Sequence, residues 1–81
     1  MYWQLDTDPD TTVDNCIAHD LLDNNGRIVA FIVGTANPLE YTHYSIVSPS
    51  RPNALFPAAF TEQQAKNWVE IKYLEIMLCG G

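Results

Sequence analysis

The chain has 81 residues, a formal net charge of −6 at pH 7 and 47% hydrophobic residues. This length fits one domain, and the apolar content is too high for a disordered chain. No run of about 18 apolar residues could span a membrane, and direct nucleic-acid binding is disfavoured because phosphate contacts need a basic stripe. Residues 1–6 contain no basic residue and no apolar core of a signal peptide, so we expect a cytoplasmic protein without membrane contact.

The N-terminal twelve residues are predicted to form an acidic arm or loop. Tyr2 to Leu5 could be a short strand or an apolar arm laid on the core, whereas Pro9 and its neighbouring aspartates indicate a loop. The whole chain is interpreted as a single domain, 1–81. Its predicted parts are the arm (1–12), an antiparallel sheet (13–48), a proline-rich loop (49–60) and a helix (61–79).

The central feature of the predicted sheet is the unbroken apolar run from Ile28 to Val33. A strand with one face in water alternates apolar and polar residues, so this run indicates a strand covered on both faces. Asn25-Gly26 precedes it and favours a two-residue hairpin turn, because both residues tolerate positive φ. The predicted cross-strand pairs are then Asn24–Arg27, Asp23–Ile28, Leu22–Val29, Leu21–Ala30, Asp20–Phe31, His19–Ile32, Ala18–Val33 and Ile17–Gly34.

The next segment, 40–48, is predicted to be a third strand, antiparallel to the second. It alternates with a period of two and is rich in Tyr, Thr, Ile and Val. This alternation places Tyr44 and Ile46 on one face of the sheet. The residues predicted to point the other way are Tyr41, His43, Ser45 and Val47.

A helix is predicted to close the chain. Thr61 is a favourable N-cap with Gln64 at the capping-box position. The residues expected to face the sheet are Ala65, Trp68, Val69, Ile76 and Cys79. From Ile71 onward the helix is apolar nearly all round and needs a second contact partner. That partner could be the proline-rich loop, the N-terminal arm or another protein chain. For the last alternative, the predicted oligomer interface consists of Ile71, Leu74 and Leu78.

The predicted fold class is α+β, in the order β-β-β-α. A three-stranded antiparallel sheet carries one C-terminal helix packed on it. An alternative is a four-stranded sheet, in which residues 73–79 leave the helix and add a strand.

The negative charge is concentrated before the hairpin turn. Six aspartates and no basic residue precede Asn24, whereas from Asn24 onward four glutamates balance four basic residues. Such a surface can steer a basic partner, although a solvated loop that aids solubility is the alternative. The predicted partner-binding residues, which include one tyrosine of the third strand, are Asp6, Asp8, Asp10, Asp14, Asp20, Asp23 and Tyr41.

No motif in the chain predicts catalysis. His19 and His43 flank the central strand with Cys16 nearby in sequence, but a metal site needs three or four ligands at close spacing. Residues 6–10 lack the glycine and the terminal glutamate of a calcium loop. The two cysteines, Cys16 and Cys79, are expected to be reduced. We therefore expect no enzymatic activity, no metal and no cofactor.

The hairpin around Asn25-Gly26-Arg27, the tyrosine-rich third strand and the segment FTEQQAKNWVE, 60–70, together resemble small single-domain proteins encoded by phages and prophages. In those proteins a helix of this type packs on a three-stranded antiparallel sheet. The acidic charge and small size are also similar to anti-CRISPR proteins and other phage inhibitors, many of which occlude a nucleic-acid-binding surface of a host complex or hold it inactive. The resemblance implies a non-enzymatic inhibitor that binds a basic host protein or ribonucleoprotein in the bacterial cytoplasm.

Two other interpretations stay open. The first is a structural or assembly subunit that forms a homodimer through the C-terminal helix. The second is a carrier protein, since ubiquitin-like modifiers and sulfur carriers end in Gly-Gly, as this chain does at Gly80-Gly81. In those carriers a strand precedes the glycines, whereas here a helix is predicted, and a helix C-cap is the simpler explanation.

Overall fold

The computed structural model describes residues 1–6, 16–36, 38–48 and 50–79. Within them, the chain forms five strands and one helix: β1 (Tyr2–Leu5), β2 (Cys16–Leu22), β3 (Ile28–Ala36), β4 (Leu39–Ile46), β5 (Ala54–Phe60) and α1 (Glu62–Leu78). The strands build one antiparallel sheet in the order β1-β2-β3-β4-β5. The predicted α+β class, the central position of β3 and the C-terminal helix are confirmed.

The sheet has five strands rather than the predicted three or four, and both additional strands lie at its edges. β1 comes from the segment predicted as either a short strand or an apolar arm, and it pairs with β2 so that Trp3 lies opposite Leu21. β5 comes from the segment predicted as a loop. Pro57 is compatible with it because an edge strand needs backbone hydrogen bonds on one side only. The predicted fourth strand at 73–79 is wrong, because α1 continues to Leu78.

The turn between β2 and β3 is one residue longer than predicted. The Gly26 N–H donates to the Asp23 carbonyl at 3.1 Å, and the Asp23 N–H donates to the Arg27 carbonyl at 2.9 Å. Gly26 has a φ of +79°, which glycine adopts without steric cost. The hairpin therefore has a three-residue loop, 24–26, in which a turn is followed by a left-handed glycine.

A β-bulge restores the predicted register after this longer loop. Leu22 lies opposite Ile28 instead of Val29, whereas Leu21 lies opposite Ala30 as predicted, so Val29 is the extra residue. The remaining pairs also agree with the prediction as far as Ile17 opposite Gly34.

A second bulge lies between β3 and β4. Val33 pairs with His43 and Gly34 pairs with Tyr41, which leaves Thr42 as the extra residue. The bulge turns Tyr41 into the core, where its side chain is fully buried. The prediction that Tyr41 shares a face of the sheet with His43 is therefore wrong.

The hydrophobic core lies between α1 and one face of the sheet. Thr61 and Gln64 form the predicted capping box at the start of α1, with N–H to side-chain oxygen distances of 3.3 and 3.0 Å. Ala65 and Val69 of α1 are fully buried, as expected for residues that face the sheet. Cys79 was also predicted to face the sheet, but it is exposed, so this prediction is wrong. The core residues, most of which are strand residues, are Leu21, Val29, Ala30, Ile32, Tyr41, Ile46, Phe56, Ala65 and Val69.

Candidate functional site

The sheet face opposite α1 carries a groove of about 550 Å³. Successive strand residues point to opposite faces, so the neighbours of the buried core positions form this second face. The apolar lining consists of Ala18, Ile28, Phe31, Val33 and Val47, and two carboxylates, Asp6 and Asp20, complete it. We call this feature the open-face groove. Phe31 and Val33 of the central strand are half-buried, so β3 is less covered on this side than on the α1 side.

Backbone pairing brings the two carboxylates of the open-face groove together. The Asp6 N–H donates to the Ala18 carbonyl at 3.0 Å, which continues the ladder between β1 and β2 by one residue. Asp20 lies opposite Phe31 in the β2–β3 register and therefore shares its face. Two acidic residues fourteen positions apart in sequence thus meet at one apolar surface.

The electrostatics of this pair disfavour negative charge on Asp20. Partial burial raises the pKa of Asp20, and the neighbouring negative charge of Asp6 raises it further. Within the described part of the chain Asp20 forms no ion pair. A cationic group placed beside it would stabilise the ionised carboxylate, because an opposite charge within a few ångströms favours the charged form.

The other predicted partner-binding residues are distributed differently. Asp8, Asp10 and Asp14 lie outside the described residues. Asp23 accepts backbone hydrogen bonds from Arg27 at 3.0 Å and Asn25 at 2.8 Å, and these bonds lower its pKa. Its carboxylate therefore closes the hairpin turn, and the buried Tyr41 ring is not presented to a partner in this structure.

A polar cluster that the sequence analysis missed joins the sheet to the first turn of α1. The His19 Nε2 atom lies 2.9 Å from the Tyr41 hydroxyl and 3.5 Å from a Glu62 carboxylate oxygen. Lys66 donates from Nζ to the other Glu62 oxygen at 2.9 Å and lies 5.8 Å from the centre of the Trp3 ring. The predicted pairing of His19 with Ile32 of the central strand was the one available signal.

This cluster favours neutral, hydrogen-bonded His19 and Tyr41 side chains beside an ionised Glu62, because the hydrogen bond from Lys66 lowers the pKa of Glu62. Burial lowers the pKa of His19, as does the Lys66 charge, whereas the Glu62 charge opposes them. Burial also raises the pKa of Tyr41 to about 12, with a further contribution from Glu62. Because the Tyr41 hydroxyl is buried beneath α1, it cannot reach a substrate. We interpret the cluster as a set of polar contacts that holds α1 against the sheet.

The predicted oligomer interface lies on the surface of α1. Ile71, Leu74 and Leu78 are 58%, 48% and 87% exposed. We call these three residues the helix strip. Ile71 and Leu74 also line a shallow concavity of about 400 Å³, on the opposite side of the molecule from the open-face groove. The structure therefore leaves this apolar strip available for contact with another chain.

In the part of the chain that the structure describes, we find no metal site and no membrane-spanning helix. Among the described residues, no group of three or more His, Cys, Asp or Glu side chains could hold a metal ion. Cys16 is half-buried and Cys79 is exposed, and both are free thiols. No helix in the described ranges has the length and apolar character needed to cross a membrane. The Gly80-Gly81 ending lies outside those ranges.

Comparison with known proteins adds no family assignment. No protein-family model, curated protein or solved structure matches the chain. Function is therefore inferred from geometry and charge.

Proposed function

We propose that the protein is a non-enzymatic binding protein that engages a basic partner protein through the open face of its sheet. The observation that carries the proposal is that the carboxylates of Asp6 and Asp20 lie close together at the open-face groove. Both carboxylates lie on the face that α1 leaves uncovered, where a partner can approach. Opposite charges across an interface raise the association rate and discriminate against wrong partners.

The narrower form of the proposal is an anti-CRISPR-like inhibitor that blocks a basic, nucleic-acid-binding surface of a host complex. It is supported by the net charge of −6 and by the resemblance to phage-encoded inhibitors. A surface that binds nucleic acid is rich in lysine and arginine, so an acidic protein can occupy it in place of phosphates. This form adds the identity of the partner class to the general proposal.

Affinity capture from a bacterial lysate tests the proposal. The immobilised wild-type protein is compared with the double variant Asp6→Asn/Asp20→Asn at low and at high salt. We expect the wild type to retain a basic protein or ribonucleoprotein that high salt releases, because salt screens charge–charge attraction. The double variant should lose most of this partner.

A matched control removes the same charge elsewhere. Glu40 and Glu75 are exposed residues that do not line the open-face groove, so Glu40→Gln/Glu75→Gln should capture the partner as the wild type does. Equal capture by all three proteins, or no capture by the wild type, would contradict the proposal.

The exposed helix strip favours a second candidate function, a structural or assembly subunit that forms homodimers through α1. In this case light scattering should show a molar mass that rises with protein concentration, and Leu74→Glu should give a monomer, because a charge at the interface centre would be desolvated. Leu55→Glu is the control, since Leu55 is 68% exposed on β5. A wild type that stays monomeric at high concentration would exclude this candidate.

A further inference from the structure

The open-face groove combines an apolar surface with two carboxylates, whereas the concavity beside the helix strip includes one, that of Glu70. Ile28 and Val47 are 46% and 42% exposed at its rim, and Phe31 and Val33 lie half-buried between them. A concave apolar surface of this kind marks a binding site more often than scattered exposed hydrophobic residues do. Its volume of about 550 Å³ is typical of pockets that enclose a ligand group.

The charge at the groove identifies the chemistry of the occupant. Asp6 and Asp20 lie on the same side of the sheet as the apolar lining, and the ionised form of Asp20 is stabilised when a cation is placed near it. Unlike Asp20, which forms no ion pair with a described residue, Glu62 and Glu75 of α1 already lie close to Lys66 and Lys72. A purely apolar occupant would desolvate Asp20 further without supplying a cation, and a purely basic one would leave the apolar lining in water.

We propose that the open-face groove binds an amphipathic segment of the partner protein, whose aliphatic or aromatic side chain lies against Phe31 and Val33 while a neighbouring lysine or arginine lies beside Asp6 and Asp20. This inference rests on the proposed function. It narrows the expected partner from any basic surface to a segment that carries both an apolar and a basic side chain. Apolar contact in the groove supplies affinity that salt does not screen, and the carboxylates fix the orientation of the segment.

Selection from a displayed library of short random peptides on the immobilised wild-type protein tests the inference. The selected peptides should combine at least one large apolar residue with a nearby lysine or arginine. Their affinities are then measured by fluorescence anisotropy for the wild type, Ile28→Ser and Asp20→Asn. Each variant should bind about tenfold more weakly, the effect of removing one well-buried apolar or charged contact.

Two variants keep the test interpretable. Leu55→Ser makes the same type of change at an exposed strand residue outside the groove, and it should bind as the wild type does. Val47→Ser is a second rim variant in case Ile28→Ser is poorly folded, which urea unfolding would reveal.

The outcomes separate this inference from the proposed function. If the rim variants bind the peptides as tightly as the wild type while Asp6→Asn/Asp20→Asn loses them, the groove inference is overturned and the acidic-surface proposal stands. If the double variant also binds normally, both are overturned. Selected peptides without lysine or arginine, or no selected peptide at all, overturn the inference as well.

Discussion

Gly34 of β3 lies close against the backbone of β4. A Cβ atom at this position would overlap the Glu40 carbonyl oxygen and lie 2.8 Å from the Tyr41 Cα atom. Both contacts are with backbone, which cannot move aside without disturbing the bulge that buries Tyr41. We expect Gly34→Ala to destabilise the fold by about 1–3 kcal/mol, the usual cost of overpacking, measured as a lower urea midpoint.

Gly26 provides the control for Gly34. It has a φ of +79°, and a Cβ atom added there would have no neighbour within 4 Å, so backbone conformation rather than space limits substitution. Asparagine tolerates positive φ, and Gly26→Asn should therefore cost less than about 1 kcal/mol. A Gly34→Ala protein as stable as the wild type would show that the strands can separate at little cost.

His19 makes the stability of the fold depend on pH. Because burial and Lys66 lower its folded-state pKa below 6.5, the unfolded chain takes up the proton first as the pH falls. The stabilisation is fully present above about pH 6.5 and is lost as the pH falls through the folded-state pKa. Urea unfolding of the wild type should show lower stability at about pH 5.5 than at about pH 7.5, a window above the usual range of carboxylates.

Two substitutions test whether His19 causes the pH dependence of the stability. His19→Gln removes the titrating group between Tyr41, Glu62 and Lys66, so it should reduce the difference between the two pH values. His43 is exposed, and His43→Gln should keep the pH dependence of the wild type. An equal pH dependence in all three proteins would contradict the role given to His19.

At the scale of the elements, α1 is fixed mainly by its first half. The capping box, the buried Ala65 and Val69 and the ion pair between Lys66 and Glu62 all lie before residue 70. Thr61→Ala should lower the free energy of unfolding by about 1 kcal/mol, because the Gln64 N–H loses its acceptor. Thr61→Ser keeps the hydroxyl and should unfold close to the wild type. Equal stability of all three proteins would show that the cap is not needed.

The elements with strong local signals were predictable from sequence. The apolar run of β3, the alternation of β4 and the cap of α1 each depend on neighbouring residues, and the structure has an element at each of these places. The alternation of β4 holds only from His43 onward, because the bulge at Thr42 interrupts it. β5 was missed as a strand, and β1 was left open between a strand and an arm, because an edge strand is short or contains proline and its pairing depends on a distant partner. The two bulges have no local signal, so the direction of Tyr41 could not be predicted.

At the scale of the whole molecule, the sheet has two unlike faces. One face is closed by α1 and contains the His19 cluster, and the other presents the open-face groove with Asp6 and Asp20. The sequence indicated an acidic N-terminal region, but not that these two aspartates share an apolar surface. That juxtaposition requires β1 to pair with β2, which the sequence left open.

Methyl NMR of the protein bound to its captured, purified partner tests the central claim most directly, since each surface carries its own methyl groups. The methyl groups that report on the open face are those of Ala18, Ile28, Val33 and Val47. Those that report on the opposite side of the molecule are in the helix strip, Ile71, Leu74 and Leu78. We predict that the partner shifts the first set of resonances and leaves the second unchanged. Shifts confined to the helix strip would contradict the assignment of the binding surface to the open face of the sheet.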